Sequence, residues 1–328
     1  MAAWVALAGT SELPIAEAPA RAALEGVAEA RVVALPYKKL TAEEEAHWAG
    51  ELQGAAAILL RSGYVTASLL ERLPDLKVVA VHGAGVDPVD IPACTERGVL
   101  VTNAPGANAN AVAELVFGLM LALLRGIPGA AHKAKAERAW DAARVTGGEL
   151  RGRTLGLVGF GQIGKRVAGI AQAFGMAVVA SDPAVDAATM QAAGVRPMSL
   201  EDLLAASDVV SLHAPAIPAT RHMIDAAALA RMKPRALLVN CARGALVDEA
   251  AVAAALTAGR LGGAALDVLE GEPPDPASPI YTAPNLIVTP HMAGSTQECL
   301  DAIAATCGAD IAAVLKGAAP AFPVNRLG

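Results

Sequence analysis

Aromatic side chains are scarce in this sequence, since Phe, Trp and Tyr make up 3% of its 328 residues. Proteins that bind single-stranded nucleic acid stack the bases on aromatic rings beside a basic surface. The formal net charge of the chain is −6, which does not favour a basic surface either. We therefore expect no nucleic-acid partner.

Long apolar runs are missing too. The longest, Leu115–Leu124, has ten residues and follows Glu114, whereas a helix needs about 20 apolar residues to span a bilayer. The apolar N-terminus, MAAWVALAGT, lacks the basic segment with which a signal peptide begins. We therefore expect a buried helix around Leu115–Leu124, no membrane partner and no signal peptide.

Cysteine is rare, with four residues and no C-x-x-C pair among them. No histidine lies at a spacing from them that is typical of zinc ligands. The pattern favours reduced thiols over disulfides or a metal site. We therefore expect no bound metal and a cytoplasmic location.

Short apolar runs alternate with helical patterns along the chain. In the first part the β-like runs are Trp4–Ala8, Arg31–Leu35, Ala55–Leu60, Lys77–Val81 and Val99–Thr102. Thr41 and Glu44 form a capping box that predicts a helix over Thr41–Leu52. After a long helical pattern at Asn108–Arg125 and a polar stretch, the second series is Leu155–Val158, Ala177–Ser181, Val209–Leu212, Leu237–Asn240, Gly263–Val268 and Leu286–Val288. Such alternation predicts an α/β protein with two doubly wound parallel sheets, each covered by helices on both faces.

The last helical pattern, Thr296–Lys316, is amphipathic. One face carries Leu300, Ile303, Cys307, Ile311, Val314 and Leu315. This face needs a surface to cover, and the spacing alone does not say which of the two sheets provides it.

A glycine-rich loop, Gly159–Gly164, lies between the strand Leu155–Val158 and a helix predicted over Lys165–Phe174. Its glycines fit G-x-G-x-x-G, which permits a tight turn, close approach of the backbone to a pyrophosphate, and close packing of helix on strand. The helix N-terminus then offers amides and a partial positive charge to the phosphates. The loop therefore predicts a dinucleotide site.

Asp182 favours NAD over NADP as the dinucleotide. It stands eighteen residues after Gly164, at the end of the next strand, where a carboxylate accepts hydrogen bonds from a ribose 2′-hydroxyl and repels a 2′-phosphate. The competing P-loop pattern, G-x-x-x-x-G-K, is followed here by Arg166, although a P-loop needs Ser or Thr at that position to bind magnesium. That substitution excludes a P-loop nucleotide hydrolase.

Further stretches, in order along the chain, resemble one known family. They are His82–Asp87 (HGAGVD), Asn103–Asn108 (NAPGAN), Asn240–Gly244 (NCARG), Ala265–Glu270 (ALDVLE), Glu272–Pro273 and Thr289–Thr296 (TPHMAGST). Together with the glycine loop they make the chain similar, over essentially its whole length, to the D-isomer-specific 2-hydroxyacid dehydrogenases. That family includes phosphoglycerate, glyoxylate/hydroxypyruvate and D-lactate-type enzymes.

The resemblance implies a domain arrangement. A Rossmann NAD domain, expected at residues 103–290, would be inserted into a flavodoxin-like substrate domain made of residues 1–102 and 291–328. Family members dimerise through the region that matches residues 108–125, so we expect a homodimer. The chain as given ends at Gly328, and we expect none of the regulatory domain that some long phosphoglycerate dehydrogenases append.

The resemblance also implies three catalytic residues, Arg243, Glu272 and His291. Arg243 follows a predicted strand, and a guanidinium there can hold a carboxylate and polarise a keto oxygen. His291 matches the family's proton donor, because an unperturbed imidazole titrates near neutral pH. Glu272 matches the carboxylate that stabilises the protonated imidazole. By residue type alone, each of the three could equally be structural.

Contacts to cofactor and substrate follow from the same resemblance. The cofactor residues are Gly159, Gly161, Gln162, Ile163, Gly164, Asp182, His213, Thr220, Cys241 and Asp267. Asp267 resembles the residue at the nicotinamide carboxamide, although an aspartate at a strand end could instead cap a turn. The substrate residues are Arg61, Ala84 and Gly85. The loop around Ala84 offers backbone amides to a carboxylate, whereas Arg61 either faces an anionic substrate or is simply solvated.

We therefore expect an NAD-dependent D-2-hydroxyacid dehydrogenase that transfers a hydride between nicotinamide and a small 2-hydroxy or 2-keto acid of the phosphoglycerate, hydroxypyruvate or glyoxylate type. The alternative is an NAD-sensing binding protein of the corepressor type, because those proteins share the fold and keep the three catalytic residues. The sequence does not name the acid, since one methylene changes preference by only about 1–3 kcal/mol.

Overall fold

The apolar runs of the first hundred residues form one parallel sheet in the structure, a computed structural model that describes residues 3–141, 144 and 146–327. The strands are β1 (Trp4–Ala8), β2 (Glu29–Val33), β3 (Ala55–Leu60), β4 (Val78–Val81) and β5 (Leu100–Thr102). In register, Ala6 of β1 lies between Arg31 and Ile58 of its neighbours. The order β2-β1-β3-β4-β5 is the flavodoxin-like order, which confirms the architecture predicted for this sheet.

Four helices connect these strands: α1 (Glu17–Leu24), α2 (Ala42–Glu51), α3 (Ala67–Glu71) and α4 (Ile91–Glu96). The predicted capping box opens α2, because the Thr41 hydroxyl accepts the Glu44 amide and the Glu44 carboxylate accepts the Thr41 amide. Thr66 and Asp90 cap α3 and α4 with one hydrogen bond each, accepted from the Leu69 and Ala93 amides. Side-chain caps therefore mark the start of α2, α3 and α4.

The long helix that follows is buried as predicted. α5 (Ala109–Arg125) packs against the second sheet and is followed by α6 (Ile127–Lys135), which the sequence did not predict. No single helix of the described chain is long and apolar enough to cross a membrane, and α5 and α6 meet those criteria only as a pair bent by 64°. Because buried core helices meet the same criteria, that pair is weak evidence for a membrane span.

The second series of runs forms a seven-stranded parallel sheet. Its strands are β6 (Thr154–Val158), β7 (Ala177–Ser181), β8 (Arg196–Pro197), β9 (Val209–Leu212), β10 (Leu237–Asn240), β11 (Gly263–Leu266) and β12 (Leu286–Val288). The order β12-β11-β10-β9-β6-β7-β8 reverses direction between β6 and β9. This is the dinucleotide-binding order with one further edge strand, and ligands bind such sheets at the carboxyl ends of the strands beside the reversal.

Helices cover both faces of this sheet. They are α7 (Gln162–Ala173), α8 (Ala187–Ala192), α9 (Leu200–Ala206), α10 (Ala226–Arg231) and α11 (Glu249–Thr257), in addition to α5. One core cluster joins α5 and α7 to the sheet, and a second joins α9, α10 and α11 to it. Two apolar layers on one sheet explain why β9, β10 and β11 are buried throughout.

The last helix, α12 (Gln297–Leu315), belongs to the first sheet, where it packs against α1, β3 and β4. Its buried face differs from the predicted one, because Leu300, Val314 and Leu315 are only partly buried while Ala304, Gly308 and Ala312 are buried. Small residues let the two helices approach closely. A Cβ at Gly308 would lie 2.8 Å from Ala23 Cβ.

The chain divides into two compact units, Met1–Asn108 with Ser295–Gly328, and Ala109–Gly294. These limits lie six residues beyond the predicted boundary at 102 and four beyond that at 290. The Asn103 side chain donates to the Ala84 carbonyl, and the Ala293 amide donates to the Asp267 carboxylate. Each of these segments thus belongs to the unit with which it forms hydrogen bonds, and that places the boundaries later in the chain.

Candidate cofactor and catalytic site

The glycine loop of the second unit has the shape that its sequence predicts. Gly159 has a φ of +98°, and a Cβ on it would lie 2.6 Å from the His213 carbonyl oxygen. A Cβ on Gly164 would lie 2.5 Å from the Gly159 carbonyl oxygen. Among the described residues, no heavy atom beyond Gly161 and its chain neighbours lies within 4 Å of a Cβ built on Gly161. Two glycines therefore permit close packing, and the third leaves space open above the loop.

That open space lies at the start of α7. Gly161 is the residue before the helix, and no side chain of the described residues caps it. Helix α7 begins at Gln162, three residues earlier than predicted, so Gln162 and Ile163 present first-turn amides. The Ile163 side chain packs against the core and the Gln162 side chain is exposed. Uncapped amides at a helix N-terminus suit a phosphate group.

Asp182 lies beside the glycine loop, directly after β7. Its Oδ2 accepts the Phe160 amide at 2.7 Å and its Oδ1 accepts the Ala184 amide at 2.8 Å. Because each carboxylate oxygen can accept two hydrogen bonds, capacity for a ribose hydroxyl remains. The glycine loop thus holds the Asp182 carboxylate in place. Loop and carboxylate are predicted to bind the same dinucleotide.

His213 follows β9 and lies against the same loop. Its Nε2 is 2.9 Å from Ser211 Oγ, and its carbonyl is the group that a Cβ at Gly159 would meet. Burial lowers the pKa of His213 to about 4. The imidazole is therefore neutral at pH 7, which fits a role in shaping the loop and not one in proton donation.

Thr220 and Cys241 are engaged within the protein. The Thr220 hydroxyl donates to the Pro215 carbonyl at 2.7 Å and accepts the Ile217 amide at 2.9 Å, both within its own turn. Cys241 is buried after β10, and burial raises the pKa of its thiol. Cofactor contacts by these two side chains stay predictions.

His291 and Glu272 form the ion pair that the resemblance implies. His291 Nδ1 lies 2.7 Å from Glu272 Oε2, and the Leu269 amide donates to Glu272 Oε1 at 3.2 Å. A carboxylate that accepts from Nδ1 fixes the proton there, so Nε2 is the ring atom that remains for chemistry. The His291 side chain is 48% exposed, which leaves that atom accessible.

Asp267 holds the backbone on which His291 stands. It is 1% exposed, and its carboxylate accepts the Thr289 hydroxyl at 2.6 Å and the amides of Met292 and Ala293, each at 2.9 Å. The His291 amide donates to the Asp267 carbonyl at 2.7 Å. His291 itself has a φ of +50°, in the left-handed region. The strand-end aspartate therefore caps this turn, and its cofactor contact stays a prediction.

Arg243 lies just beyond the carboxyl end of β10. The fully buried Asn240 shapes this turn, because its Nδ2 donates to the Arg243 carbonyl at 2.9 Å and its Oδ1 accepts the Ala242 amide at 3.0 Å. Gly244 follows, and a Cβ there would collide with the backbone of Leu269 and Glu270. The arginine is thus carried by a tight turn that packs on the loop leading to Glu272.

The first unit holds the predicted substrate residues at the carboxyl ends of its strands. The loop of Ala84 and Gly85 is tied down by its carbonyls, because the Asn103 side chain donates to Ala84 at 2.7 Å and the Ala104 amide donates to Gly83 at 2.8 Å. Arg61 follows β3, and burial lowers its pKa. Arg61 is thus partly buried, which differs from the alternative that its side chain is simply solvated.

Buried polar groups that the sequence did not predict lie next to Arg61. His82 is 5% exposed and Ser62 is 1% exposed, and within the described chain neither His82 ring nitrogen nor Ser62 Oγ has a hydrogen-bond partner. Burial, together with the Arg61 charge, lowers the pKa of His82 to about 4. Buried polar atoms normally have partners. The signal was present, because His82 opens the HGAGVD stretch.

The predicted residues therefore lie at two sheet ends. The second unit brings together the glycine loop, Asp182 and His213, which follow β6, β7 and β9 around the reversal, and Arg243, Asp267, Glu272 and His291 after β10, β11 and β12. The first unit brings Arg61 together with His82 and carries the Ala84 loop. Among the described residues, no group of three or more His, Cys, Asp or Glu side chains is placed to hold a metal ion.

Comparison with known proteins agrees with this geometry. The model of the NAD-binding domain of D-isomer specific 2-hydroxyacid dehydrogenases matches residues 117–293. The D-3-phosphoglycerate dehydrogenase of Methanocaldococcus jannaschii is 41% identical over 287 residues, which are 85% of this chain and 54% of that protein. The chain therefore spans about half the length of the curated relatives it matches.

Solved structures match over nearly the full chain. The TT0316 protein from Thermus thermophilus is 36% identical, with a TM-score of 0.85, covering 98% of this chain and 100% of that one. A glyoxylate reductase from Paecilomyes thermophila is 28% identical, also with a TM-score of 0.85, covering 98% of each chain. The similarity thus extends across both sheets.

Proposed function

Because the chain belongs to the D-isomer specific 2-hydroxyacid dehydrogenase family, we propose that it catalyses hydride transfer between NAD and a small 2-hydroxy or 2-keto acid. The observation that carries the proposal is the His291–Glu272 pair, with 2.7 Å between Nδ1 and Oε2. A proton donor of this kind lies in the same unit as a glycine loop and a carboxylate suited to a dinucleotide. Because the NAD-sensing alternative keeps the same three residues, turnover is the property that separates the two.

The NAD domain supplies the cofactor site of the proposed reaction. Gly161 leaves open space at the N-terminus of α7, where the first-turn amides suit a pyrophosphate. Asp182 offers carboxylate oxygens for a ribose 2′-hydroxyl and would repel a 2′-phosphate. When NADH is bound there, it supplies the hydride for reduction.

Arg243 is proposed to hold and polarise the 2-keto acid. Its guanidinium can donate two parallel hydrogen bonds, to a carboxylate oxygen and to the keto oxygen beside it. Negative charge grows on the keto oxygen as the hydride arrives, so a fixed positive charge stabilises the transition state more than the ground state.

His291 is proposed to deliver the proton. With Nδ1 bound to Glu272, the protonated imidazole carries its transferable proton on Nε2 and gives it to the keto oxygen. The ring then stays oriented by the same carboxylate and regains a proton from solvent, since it is half exposed. In the reverse direction the neutral ring accepts the hydroxyl proton.

The first unit is proposed to bind the acid itself. The amides around Ala84 and Gly85 suit the substrate carboxylate, and the partly buried Arg61 suits an acid with additional negative charge. The printed activities of similar proteins, D-3-phosphoglycerate dehydrogenase and glyoxylate reductase, make phosphoglycerate, hydroxypyruvate and glyoxylate types the first substrates to test.

A homodimer in the cytoplasm is also proposed. The segment after α5 supports the dimer, because α6 has no buried residue and Ile127 and Trp140 are 50% and 75% exposed. Contiguous exposed apolar patches mark protein–protein interfaces, and we propose that these two side chains form part of one. The cytoplasmic location rests on four cysteines that are buried and free. Sedimentation of wild type and Trp140→Ser would test the dimer.

The test of the proposed function is the initial rate of NADH and NADPH oxidation with a panel of acids. The panel holds glyoxylate, hydroxypyruvate, pyruvate, phosphohydroxypyruvate, oxaloacetate and a branched 2-keto acid. The proposal expects rapid oxidation of NADH by at least one member and loss of that activity in His291→Asn. Silence across the panel, with NADH still bound, would favour the cofactor-sensing alternative.

A further inference from the structure

The loop that carries Glu272 has a second carboxylate, Glu270, for which the proposed reaction has no use. Its Oε1 accepts a hydrogen bond from Arg221 Nη1, and its Oε2 lies 2.7 Å from His222 Nε2. Its amide donates to Glu249 Oε1 at 2.5 Å. We call these four residues, Arg221, His222, Glu249 and Glu270, the Glu270 cluster. All of them belong to the second unit.

The cluster joins three segments that carry predicted site residues. Arg221 and His222 follow Thr220 directly, Glu249 begins α11 just after the turn that Arg243 opens, and Glu270 precedes Glu272 by one residue. Backbone contacts join the same segments. The His222 amide donates to the Ala245 carbonyl at 2.8 Å, and Gly244 leaves no room for a Cβ against Glu270.

The electrostatics of the cluster favour a charged Glu270. The hydrogen bond from His222, supported by Arg221 and opposed by burial, lowers the pKa of Glu270. Burial raises the pKa of Glu249, whose carboxylate lies at the same junction. His222 has a φ of +48°, a conformation that a histidine keeps only where its surroundings hold it. The Glu270 carboxylate is one of the groups that hold it.

The cluster reaches the catalytic pair through the backbone of Leu269. The Leu269 amide donates to Glu272 Oε1 at 3.2 Å, and Leu269 is bonded directly to Glu270. Glu272 Oε2 then faces His291 Nδ1 at 2.7 Å. Because Glu270 is fixed by its side chain and by its amide, the backbone torsions of Leu269 have less freedom, which restrains the orientation of the Leu269 amide. The Glu272 carboxylate is thereby held from the side opposite to the imidazole.

We propose that Glu270 is a positioning residue for the Glu272–His291 pair, and that Arg221 and His222 act through it. The proposal rests on the proposed function, because it assigns Glu270 a part in the proton step. Glu270 and Arg221 are 35% and 58% exposed. An ordinary surface ion pair at such exposure has a small effect on a protein. A large effect on proton transfer would therefore separate positioning from surface stabilisation.

The primary test is Glu270→Gln, which keeps the size of the side chain and removes its charge. We expect kcat for 2-keto acid reduction to fall about tenfold, as is usual for loss of an orienting partner, with NADH affinity unchanged. The alkaline limb of the pH–rate profile should move to lower pH, because a less well held Glu272 stabilises the protonated imidazole less. Glu270→Asp, which keeps the charge, should recover part of the lost rate.

Two other charges bear on the interpretation of that profile. The groups that face His291 within its unit are Glu272 at 2.7 Å and, through the amides of Met292 and Ala293, the buried carboxylate of Asp267. Neither is changed in Glu270→Gln. Because Glu270→Gln also removes a negative charge close to Glu272, the part of the shift that the charge-keeping Glu270→Asp shares reports on how well Glu272 is placed.

A matched control is available in the same unit. Glu201 forms an exposed ion pair with Arg231 at 3.3 Å, on helices α9 and α10. Glu201→Gln removes the same charge from the same unit and should leave kcat and the pH profile unchanged. If Glu270→Gln does not fold, Arg221→Gln removes one partner of Glu270 and should move both quantities in the same direction by a smaller factor.

A second readout does not depend on turnover. The half-exposed His291 ring reacts with diethyl pyrocarbonate only when neutral, and peptide mass spectrometry separates it from His222. The midpoint of its modification against pH should be lower in Glu270→Gln than in wild type and in Glu201→Gln. Superimposable curves, with kcat within twofold of wild type, would overturn the positioning role. Wild-type protein without turnover on any acid would defeat the proposed function, and these curves would still decide the positioning role.

Discussion

The two units share a doubly wound architecture but differ in the polar groups at the carboxyl ends of their strands. In the first unit, Arg61, Ser62 and His82 have buried polar atoms with no hydrogen-bond partner among the described residues. In the second, Asp182 accepts two hydrogen bonds from the chain and Asp267 accepts three. Buried polar atoms without partners thus lie mainly in the first unit, whereas the carboxylates of the second unit form hydrogen bonds within the chain.

This difference indicates that the first unit selects the acid and that the second unit carries out the transfer. A buried polar atom without a partner carries a desolvation cost that a complementary ligand removes, so the first unit is suited to select the acid. Carboxylates that the chain holds in place by hydrogen bonds make a rigid frame, and hydride and proton transfer need such a frame. His213, with one unpartnered ring nitrogen, is the exception in the second unit.

The largest expected effect is on kcat and concerns Arg243 of the second unit. Arg243→Ala should lower kcat about 10²- to 10³-fold, because the developing negative charge on the keto oxygen loses its partner. NADH should still bind, as measured by fluorescence titration. Arg231→Ala, at an exposed arginine of the same unit, is the control. Loss of NADH binding together with activity would assign Arg243 a structural role instead.

The glycine loop allows a comparison between two alanine substitutions. Gly159→Ala forces a side chain into a left-handed φ and against the His213 carbonyl at 2.6 Å, so it should destabilise the second unit by roughly 2 kcal/mol or more. Gly161→Ala meets no atom within 4 Å and should leave thermal stability unchanged while weakening NADH binding. Thermal unfolding and NADH titration of both variants would check this. Equal stability of the two would contradict the packing role of Gly159.

The buried histidine of the first unit gives a pH-dependent test. The pKa of His82 is about 4 in the folded protein against an ordinary 6.5, so the unfolded state binds more protons between these values. Stability should therefore fall as the pH drops from 6.5 to 4, by up to about 3 kcal/mol from this group. Urea unfolding of wild type and His82→Gln would show a weaker dependence in the variant.

The exposed His132, whose side chain is 68% accessible, supplies the control for that experiment. His132→Gln should follow the wild-type pH dependence. If His82→Gln followed it too, the burial of a neutral imidazole would not be the source of the effect.

The smallest expected effect concerns cofactor choice. Asp182→Ala should raise the ratio of NADP to NAD usage about tenfold, because one charge-assisted hydrogen bond is lost and a repulsion is removed. Asp182→Asn keeps an oxygen for the Phe160 or Ala184 amide and controls for loss of loop structure. Steady-state kinetics with both cofactors measure the ratio. An unchanged ratio in both variants would place the discriminating group elsewhere.

Much of the fold could be predicted because local signals agreed with the final structure. The alternating apolar runs and the glycines predicted both sheets, and the Thr41–Glu44 capping box predicted the start of α2 where the structure has it. The prediction of the buried face of α12 was partly wrong. It rested on the hydrophobicity of residues such as Leu300 and Leu315, whereas Gly308 is buried because the two helices pack closely. Periodicity does not register how near a partner helix lies.

The candidate site was predictable only where motifs fixed it. The pairing of His291 with Glu272 followed from order and resemblance, and the structure shows the two side chains in contact. The turn-capping role of Asp267, the burial of His82 and the tie between Glu270 and His222 are long-range contacts. Such contacts depend on which loops meet at the sheet ends, and spacing along the chain does not give that information.

The most direct measurement of the central claim is the fate of deuterium from NADH that carries deuterium at both hydrogens of nicotinamide C4. Reduction of the best 2-keto acid of the panel other than glyoxylate, whose product has no D or L isomer, should place the label at C2 of the product, and chiral chromatography should show the D isomer alone. The same reaction with His291→Asn should give little product. An L or racemic product, or a product without deuterium at C2, would contradict the assignment of direct hydride transfer by a D-specific site.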